Sequence, residues 1–217
     1  MSNLAVNTDY ELIVQLATPH VKLANQSFSL IVNDLEKSFA YIHPERQNLL
    51  VFGHRYFEIL FRVCVEFEIL SKAVYQIIFD VDANRKSISD VSKILEFVVA
   101  PDHKVKFDGW EGNDEYLFKP LSNWQSSPHG LTWFRSYNEI KHNRHDNFQQ
   151  STLENCILSL GSLFFLLNIL GGIKYQSFYS NQRFDGTEFP FLLAPFSIIA
   201  SNEWKVPSFL DATPDAP

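Results

Sequence analysis

Cysteine is scarce: there are two in 217 residues, Cys64 and Cys156, and both lie in strongly apolar stretches. That number and spacing exclude a disulfide framework and a cysteine-based zinc site, and predict two buried free thiols in a reducing compartment. Positive charge is short as well, with 18 Lys and Arg against 25 Asp and Glu and a formal net charge of −7. An acidic surface repels phosphate chains at long range, which argues against a broad nucleic-acid groove but leaves room for a small basic site. Neither a glycine-rich phosphate loop nor a Gly-x-Ser-x-Gly elbow occurs. Long hydrophobic runs are missing too. The most apolar segment, Cys156 to Leu170, spans 15 residues and contains Ser159, Gly161, Ser162 and Asn168, short of the roughly 20 apolar residues of a membrane helix. The start, Met1-Ser2-Asn3-Leu4, lacks the basic and apolar regions of a signal peptide. The chain is therefore expected in the cytoplasm with no membrane role, and it shows neither an internal repeat nor a low-complexity tract.

What is present is a globular composition, 46% hydrophobic and 20% charged, enough to bury a sizeable core in one domain. Aromatic residues reach 15%, with 20 Phe among them. Pro44 suits the start of a helix, and from there to Phe79 neither proline nor any glycine except Gly53 interrupts the chain. Within that span Tyr56, Leu60, Val63, Phe67, Leu70, Val74 and Ile77 step by three or four, the spacing of an apolar helical stripe. Arg55, Glu58, Arg62 and Glu66 fall opposite, with Glu58–Arg62 and Arg62–Glu66 as candidate i,i+4 pairs. An earlier helix is predicted from about Pro19 to Tyr41 on Leu23, Phe28, Ile31 and Leu35, and a short one from Ser87 or Ser89 to Val98. Little periodicity marks 101–130, so a loop is expected there, its Trp110 and Trp124 pinning it to the bundle. A central core helix is predicted over Ser151–Leu170 on Leu153, Ile157, Leu160, Phe164 and Leu167, ended by Gly171-Gly172. The predicted fold is all-α: a bundle of four to five helices in one domain, 1–210, with its core at about 20–172. An irregular aromatic-rich extension with β-prone pieces such as Phe191–Ile199 follows at 173–210, and then a loose tail at 211–217.

The segment Trp133-Phe-Arg-Ser-Tyr-Asn-Glu-Ile-Lys-His-Asn-Arg-His-Asp146 stands apart. Read as one helix to about His145, at about 100° per residue, it places Arg135, Glu139 and His142 on one face. Asn138, His142 and His145 share the adjacent face, and Trp133, Tyr137, Ile140 and Arg144 line another. Arg135, Lys141 and Arg144 against Glu139 make it locally basic on an acidic chain. An imidazole that titrates near neutrality can take a proton from a ribose 2′-hydroxyl or give one to a leaving oxygen. An arginine nearby can hold the phosphate and stabilise the charge that develops on it. Two other readings stay open. Arg135–Glu139 is a plain surface ion pair and His142 a structural polar residue in one of them. In the other, Glu139-x-x-His142 with His145 binds a metal, although the second Glu-x-x-His helix that a di-iron bundle needs is absent.

The run Trp133-Phe134-x-x-Tyr137-Asn138-x-Ile140-Lys141-His142-x-Arg144, followed by a Leu-rich helix, resembles the HEPN superfamily of small helical bundles. It is similar in particular to bacterial members with a Tyr-Asn-x-x-Lys-His-x-Arg helix, and Arg55–Tyr75 resembles the helix packed beside it there. The resemblance spans about 51–170. It implies a homodimer whose two motifs line one cleft, and a metal-independent ribonuclease of a defence or toxin–antitoxin system, with RNA and an antitoxin as partners and no cofactor. Arg135 and His142, six residues between them, map onto the family's Arg and His as catalytic residues, and Ser136 onto the small polar neighbour. Tyr137, Asn138, Lys141 and Arg144 are then binding residues. Other members are non-catalytic dimerisation or interaction modules, which is the alternative expectation.

Overall fold

The computed structural model describes residues 10–96, 104–124, 130–179 and 196–199. Three long helices form the frame: α1 (Tyr10–Phe39), α2 (His54–Phe79) and α6 (Leu153–Tyr179), each packed on the other two. α4 (Thr132–His142) lies against α2 and α6, while α3 (Ile88–Val91) and α5 (Arg144–Asn147) are single turns. The all-α bundle predicted from periodicity is what the chain adopts, with one small sheet added to it.

α1 buries Ala24, Phe28, Ile31, Val32 and Leu35, whereas Leu23 is 65% exposed. The stripe steps 24, 28, 31, 35, and Leu23 falls one residue, about 100°, off it. Pro19 lies inside the helix, not at its start. Every member of the α2 stripe, Tyr56 through Ile77, is buried. Pro44 does not open α2. A 3₁₀ turn (Arg46–Asn48) and an extended stretch precede it because the backbone there is used elsewhere. Leu153 and Glu154 donate their N–H groups to the carbonyls of Val51 and Leu49 at 2.9 and 3.0 Å, which satisfies the orphan donors that open α6. Asp80 closes α2 in the left-handed region, φ 51°, a conformation that aspartate tolerates.

Arg62 does not pair along its own helix with Glu58 or Glu66. Its guanidinium crosses to Asp34 of α1 at 2.5 Å, and that hydrogen bond holds the Asp34 carboxyl below its ordinary value of 3.8. A lowered carboxylate contributes stability that is present above the unfolded pKa and lost as pH falls through the folded one. Asp34→Asn is therefore expected to flatten the stability-versus-pH curve below pH 3.8 and to leave it unchanged near neutrality apart from a constant offset. Urea midpoints from pH 2.5 to 7 check this, and parallel curves for the two proteins would contradict it.

α6 is apolar all round. Leu153, Cys156, Ile157, Leu160, Leu163, Phe165 and Leu166 are each at most 2% exposed, so the helix is central to the bundle. Gly171-Gly172 does not end it; the helix runs on to Tyr179. Two glycines at about 1 kcal/mol each relative to alanine do not outweigh a long helix packed on its neighbours. No helix among the described residues is long and apolar enough to cross a membrane.

The predicted loop 101–130 is partly a sheet. β1 (Lys104–Phe107) is central, with β2 (Leu117–Phe118) and β3 (Phe196–Ile199) antiparallel on either side. β3 comes from the β-prone piece of the C-terminal extension; the rest of 180–210 and the tail 211–217 lie outside the described residues. Val105 and Phe107 face inward at 0% exposure, and Phe107 meets Phe39 and Phe196 at 5.9 and 5.2 Å. The tryptophans do pin the segment. Trp124 donates to the Ile88 carbonyl at 3.0 Å and its ring lies 5.2 Å from Phe67, while Trp110 stacks on Tyr116 at 4.6 Å. Gly161 of α6 lets the sheet approach: a Cβ there would sit 2.3 Å from Phe118 Cζ and 3.4 Å from Val105 Cγ1. Gly161→Val is expected to displace Phe118 and cost about 1–3 kcal/mol, measured by urea denaturation; a neutral result would mean that the sheet is not held against α6.

Candidate functional site on α4

α4 is held from beneath by aromatic rings. Trp133, Phe134, Tyr137 and Ile140 are buried; Trp133 meets Phe67 edge-on at 4.9 Å and Tyr137 meets Phe61 at 4.9 Å. This fixes the rotation of the helix and leaves Thr132, Arg135, Glu139, Lys141 and His142 exposed, with Asn138 half-buried. Seven residues are within about 20° of two full turns and rise about 10 Å, so Arg135 and His142 project to the same side.

Arg135 Nε lies 3.7 Å from Glu139 Oε1 and is 52% exposed, while Gln150 Nε2 donates to the other Glu139 oxygen at 2.6 Å. Glu139 therefore anchors Arg135 and is itself anchored. The side chain of His142, the last residue of α4, has no hydrogen-bond or ion-pair partner among the described residues. The Asn138 side chain has none either. Lys141 Nζ lies 5.5 Å from the Tyr137 ring centroid. Ser136, predicted to stand beside Arg135, is 8% exposed and faces the core. Tyr137, expected to bind a ligand, has its ring in the core at 5% exposure.

The predicted continuous helix to His145 breaks at Asn143, φ −145° and ψ 79°, because Asn143 serves as the N-cap of α5. Its Oδ1 accepts from the Asp146 N–H at 3.4 Å, and its Nδ2 donates to Asp146 Oδ2 at 2.7 Å. Asn147 closes the joint, donating to the carbonyls of Glu139 and Asn143 at 3.3 and 3.0 Å. Arg144 and His145 thereby leave the α4 register. No group of three or more His, Cys, Asp or Glu among the described residues is placed to hold a metal, and Glu139, His142 and His145 are not brought together as one. Arg144 turns to the start of α2, its Cζ 4.1 Å from the Phe57 ring centroid and 5.5 Å from that of Phe148, with Nη2 3.2 Å from His54 Nδ1. His54 carries no signal of this in the sequence, since its partner is 90 residues away.

Cys64 and Cys156 are free and fully buried. Burial pushes both thiols up, which suppresses thiolate chemistry at either. The class that emerges is a helical bundle in which α4 presents a locally basic exposed face, with the side chain of His142 at its end unpartnered among the described residues. Comparison with family models, with curated proteins and with solved structures returns no match.

Proposed function

We propose that this chain is a HEPN-like protein of a bacterial defence or toxin–antitoxin type system that binds and cleaves single-stranded RNA without a metal ion. The observation that carries the reading is the pairing of Arg135 and His142 on one exposed side of α4, with the side chain of His142 unpartnered among the described residues. His142 takes the proton of a ribose 2′-hydroxyl as the 2′-oxygen bonds to phosphorus. Arg135 holds the non-bridging oxygens and stabilises their developing charge. The bond from phosphorus to the 5′-oxygen breaks, and His142 of the partner subunit, protonated, gives its proton to that oxygen. A 2′,3′-cyclic phosphate and a 5′-hydroxyl result. Asn138 and Lys141 supply further polar and positive contacts, while Arg144, bound to His54 and the Phe57 ring, lies off this face.

The two-histidine arrangement rests on a homodimer. Leu30 and Val65, 61% and 46% exposed, share a groove between α1 and α2, and Ile69, 51% exposed, lies one turn on from Val65. This apolar strip supports self-association. Phe61, which also lines the groove, packs on Tyr137 on the buried face of α4.

The test is cleavage of end-labelled single-stranded RNA by the purified chain with EDTA present, beside a light-scattering measurement at micromolar concentration. Cleavage that survives EDTA supports the reading, and a strict monomer would remove the two-histidine step. The second reading, a non-catalytic interaction module, draws on the Arg135–Glu139–Gln150 network. A well-folded dimer without activity would favour it.

A further inference from the structure

Between the end of α1 and the start of α2 lies a cavity of about 720 Å³ whose wall is mostly apolar and whose charged residues are all basic. Tyr41, Ile42 and Phe52 supply the apolar side, and Lys37 and Arg55 the charge. No carboxylate lines it, on a chain whose formal net charge is −7. The balance in the lining is close to one positive charge. Arg55 is offset in part by Glu58 at 3.4 Å, outside the lining. Asp34, 3.6 Å from Lys37, is held more closely by Arg62 at 2.5 Å, so the Lys37 ammonium keeps most of its field. His54 adds a neutral-form donor: Arg144 cannot accept, so the His54 Nδ1 accepts from it at 3.2 Å and the ring proton sits on Nε2.

The start of α2 opens into the same cavity. Its N-cap is Gly53, no side chain caps the first turn, and no acid lies in that turn. A Cβ at Gly53 would meet nothing within 4 Å, so the positive end of a 26-residue helix faces open space. A second, independent feature points to a ligand. Tyr56 lines the cavity, and its hydroxyl, on a residue 3% exposed, is buried without a hydrogen-bond partner among the described residues. Ser38 lies beside it, but the Ser38 hydroxyl donates to the Leu35 carbonyl at 2.6 Å. A buried hydroxyl left unpaired is costly, and a ligand acceptor would relieve it. Lysine, arginine, the tyrosine O–H and the helix start all offer protons, which suits a ligand group that only accepts.

We propose that this cavity binds an apolar monocarboxylic acid, its carboxylate at the α2 N-terminus among Lys37, Arg55 and the Tyr56 hydroxyl and its hydrocarbon body against Tyr41, Ile42 and Phe52. A carboxylate is planar and accepts only, so the Arg55 fork can grip it with two parallel bonds while the Tyr56 O–H takes a further lone pair. One negative charge matches the single positive balance of the lining. A more highly charged anion would meet Asp34 and Glu58 behind the two cations. The volume falls within the range of small-molecule sites, which are mostly apolar with a few polar groups that fix orientation. Tyr41 and Phe52, 88% and 50% exposed, are rings that such a body would cover. A free acid and the C-terminal carboxylate of a peptide ending in an apolar residue offer the same chemistry.

The experiment is an NMR titration of the whole isotope-labelled chain with hydrocinnamate, hydrocinnamide, acetate and AMP, and with the tetrapeptide Ala-Ala-Ala-Phe bearing either a free or an amidated C-terminus. Hydrocinnamate should saturate at millimolar concentration or below and move the amide signals of Gly53 and Arg55. It should bind at least tenfold tighter than its amide, acetate or AMP, and Arg55→Gln should lower its affinity at least tenfold. Tyr56→Phe should weaken binding at least threefold while leaving the Tm of the unliganded protein unchanged or higher, because the hydroxyl it deletes has no partner. A hydroxyl with a purely structural role would lower Tm and leave affinity alone. A free-carboxyl tetrapeptide that binds tighter than hydrocinnamate identifies a chain end as the ligand, and equal or weaker binding identifies the free acid. Equal affinity for hydrocinnamate and its amide, tighter binding of AMP, no saturation at millimolar concentration, or hydrocinnamate binding untouched by both variants would overturn the proposal. Because the titration reads binding alone, a failure of RNA cleavage leaves its outcome intact.

Discussion

His142→Ala is expected to lower metal-independent cleavage of single-stranded RNA by about 10²–10⁴-fold, the range of a lost general acid or base. It should do so without changing the fold. His142 is exposed at the end of α4 and its side chain has no hydrogen-bond or ion-pair partner among the described residues, so the substitution leaves nothing unsatisfied and should move stability by less than about 0.5 kcal/mol. A protein that melts normally but does not cleave separates chemistry from structure. Arg135 gives a graded comparison. Arg135→Lys keeps the charge but loses the planar fork that grips phosphate, so it should fall between wild type and Arg135→Ala. Glu139→Gln releases Arg135 from its 3.7 Å partner and should tighten RNA binding. Cleavage unchanged in His142→Ala would end the assignment, and cleavage abolished by EDTA would move the chemistry to a metal.

Much of the bundle can be read along the chain because its helices obey one rule: buried residues recur every three or four positions. The α2 stripe from Tyr56 to Ile77 and the Leu153–Leu167 seam of α6 both follow it. The rule fails where a distant segment decides. Arg62 chose Asp34, 28 residues away, over neighbours on its own helix. The stretch before His54 stays extended because α6 needs the carbonyls of Leu49 and Val51. β1 finds a partner in β3, more than 85 residues on, and local periodicity carries no trace of that pairing. On α4 spacing puts Arg135 and His142 on one face but not which way that face points; the burial of Trp133, Phe134, Tyr137 and Ile140 turns it outward. The kink at Asn143 was less visible, since asparagine is tolerated inside a helix and only its exchange with Asp146 makes it a cap here. That exchange carries Arg144 away from α4 to His54 at the start of α2, a contact across 90 residues that local spacing does not show.

Phe67→Ala is expected to cost about 3–5 kcal/mol, the range for removing a fully buried aromatic ring. Phe67 is 0% exposed and its ring touches three others: Trp133 at 4.9 Å, Trp124 at 5.2 Å and Phe134 at 6.4 Å. It thus joins α2 to α4 and to the segment after the sheet, so no single side chain can move in to fill the space. For a chain of this size the loss corresponds to a fall in Tm of about 6–20 °C, a large share of the 5–15 kcal/mol typical of a whole domain. Phe67→Leu, which retains most of the volume, should cost clearly less. The two tryptophans report the change directly, because a void beside Trp124 and Trp133 admits water and shifts their emission to the red. The substitution also tests the coupling of core to site. Trp133 and Phe134 set the rotation of α4, so loosening them should blur the alignment of Arg135 with His142, and RNA cleavage should drop even at temperatures where Phe67→Ala remains folded. A loss below 1 kcal/mol, with unchanged tryptophan emission, would show that α4 is not fixed by this cluster and that the exposed face it presents is set by something else.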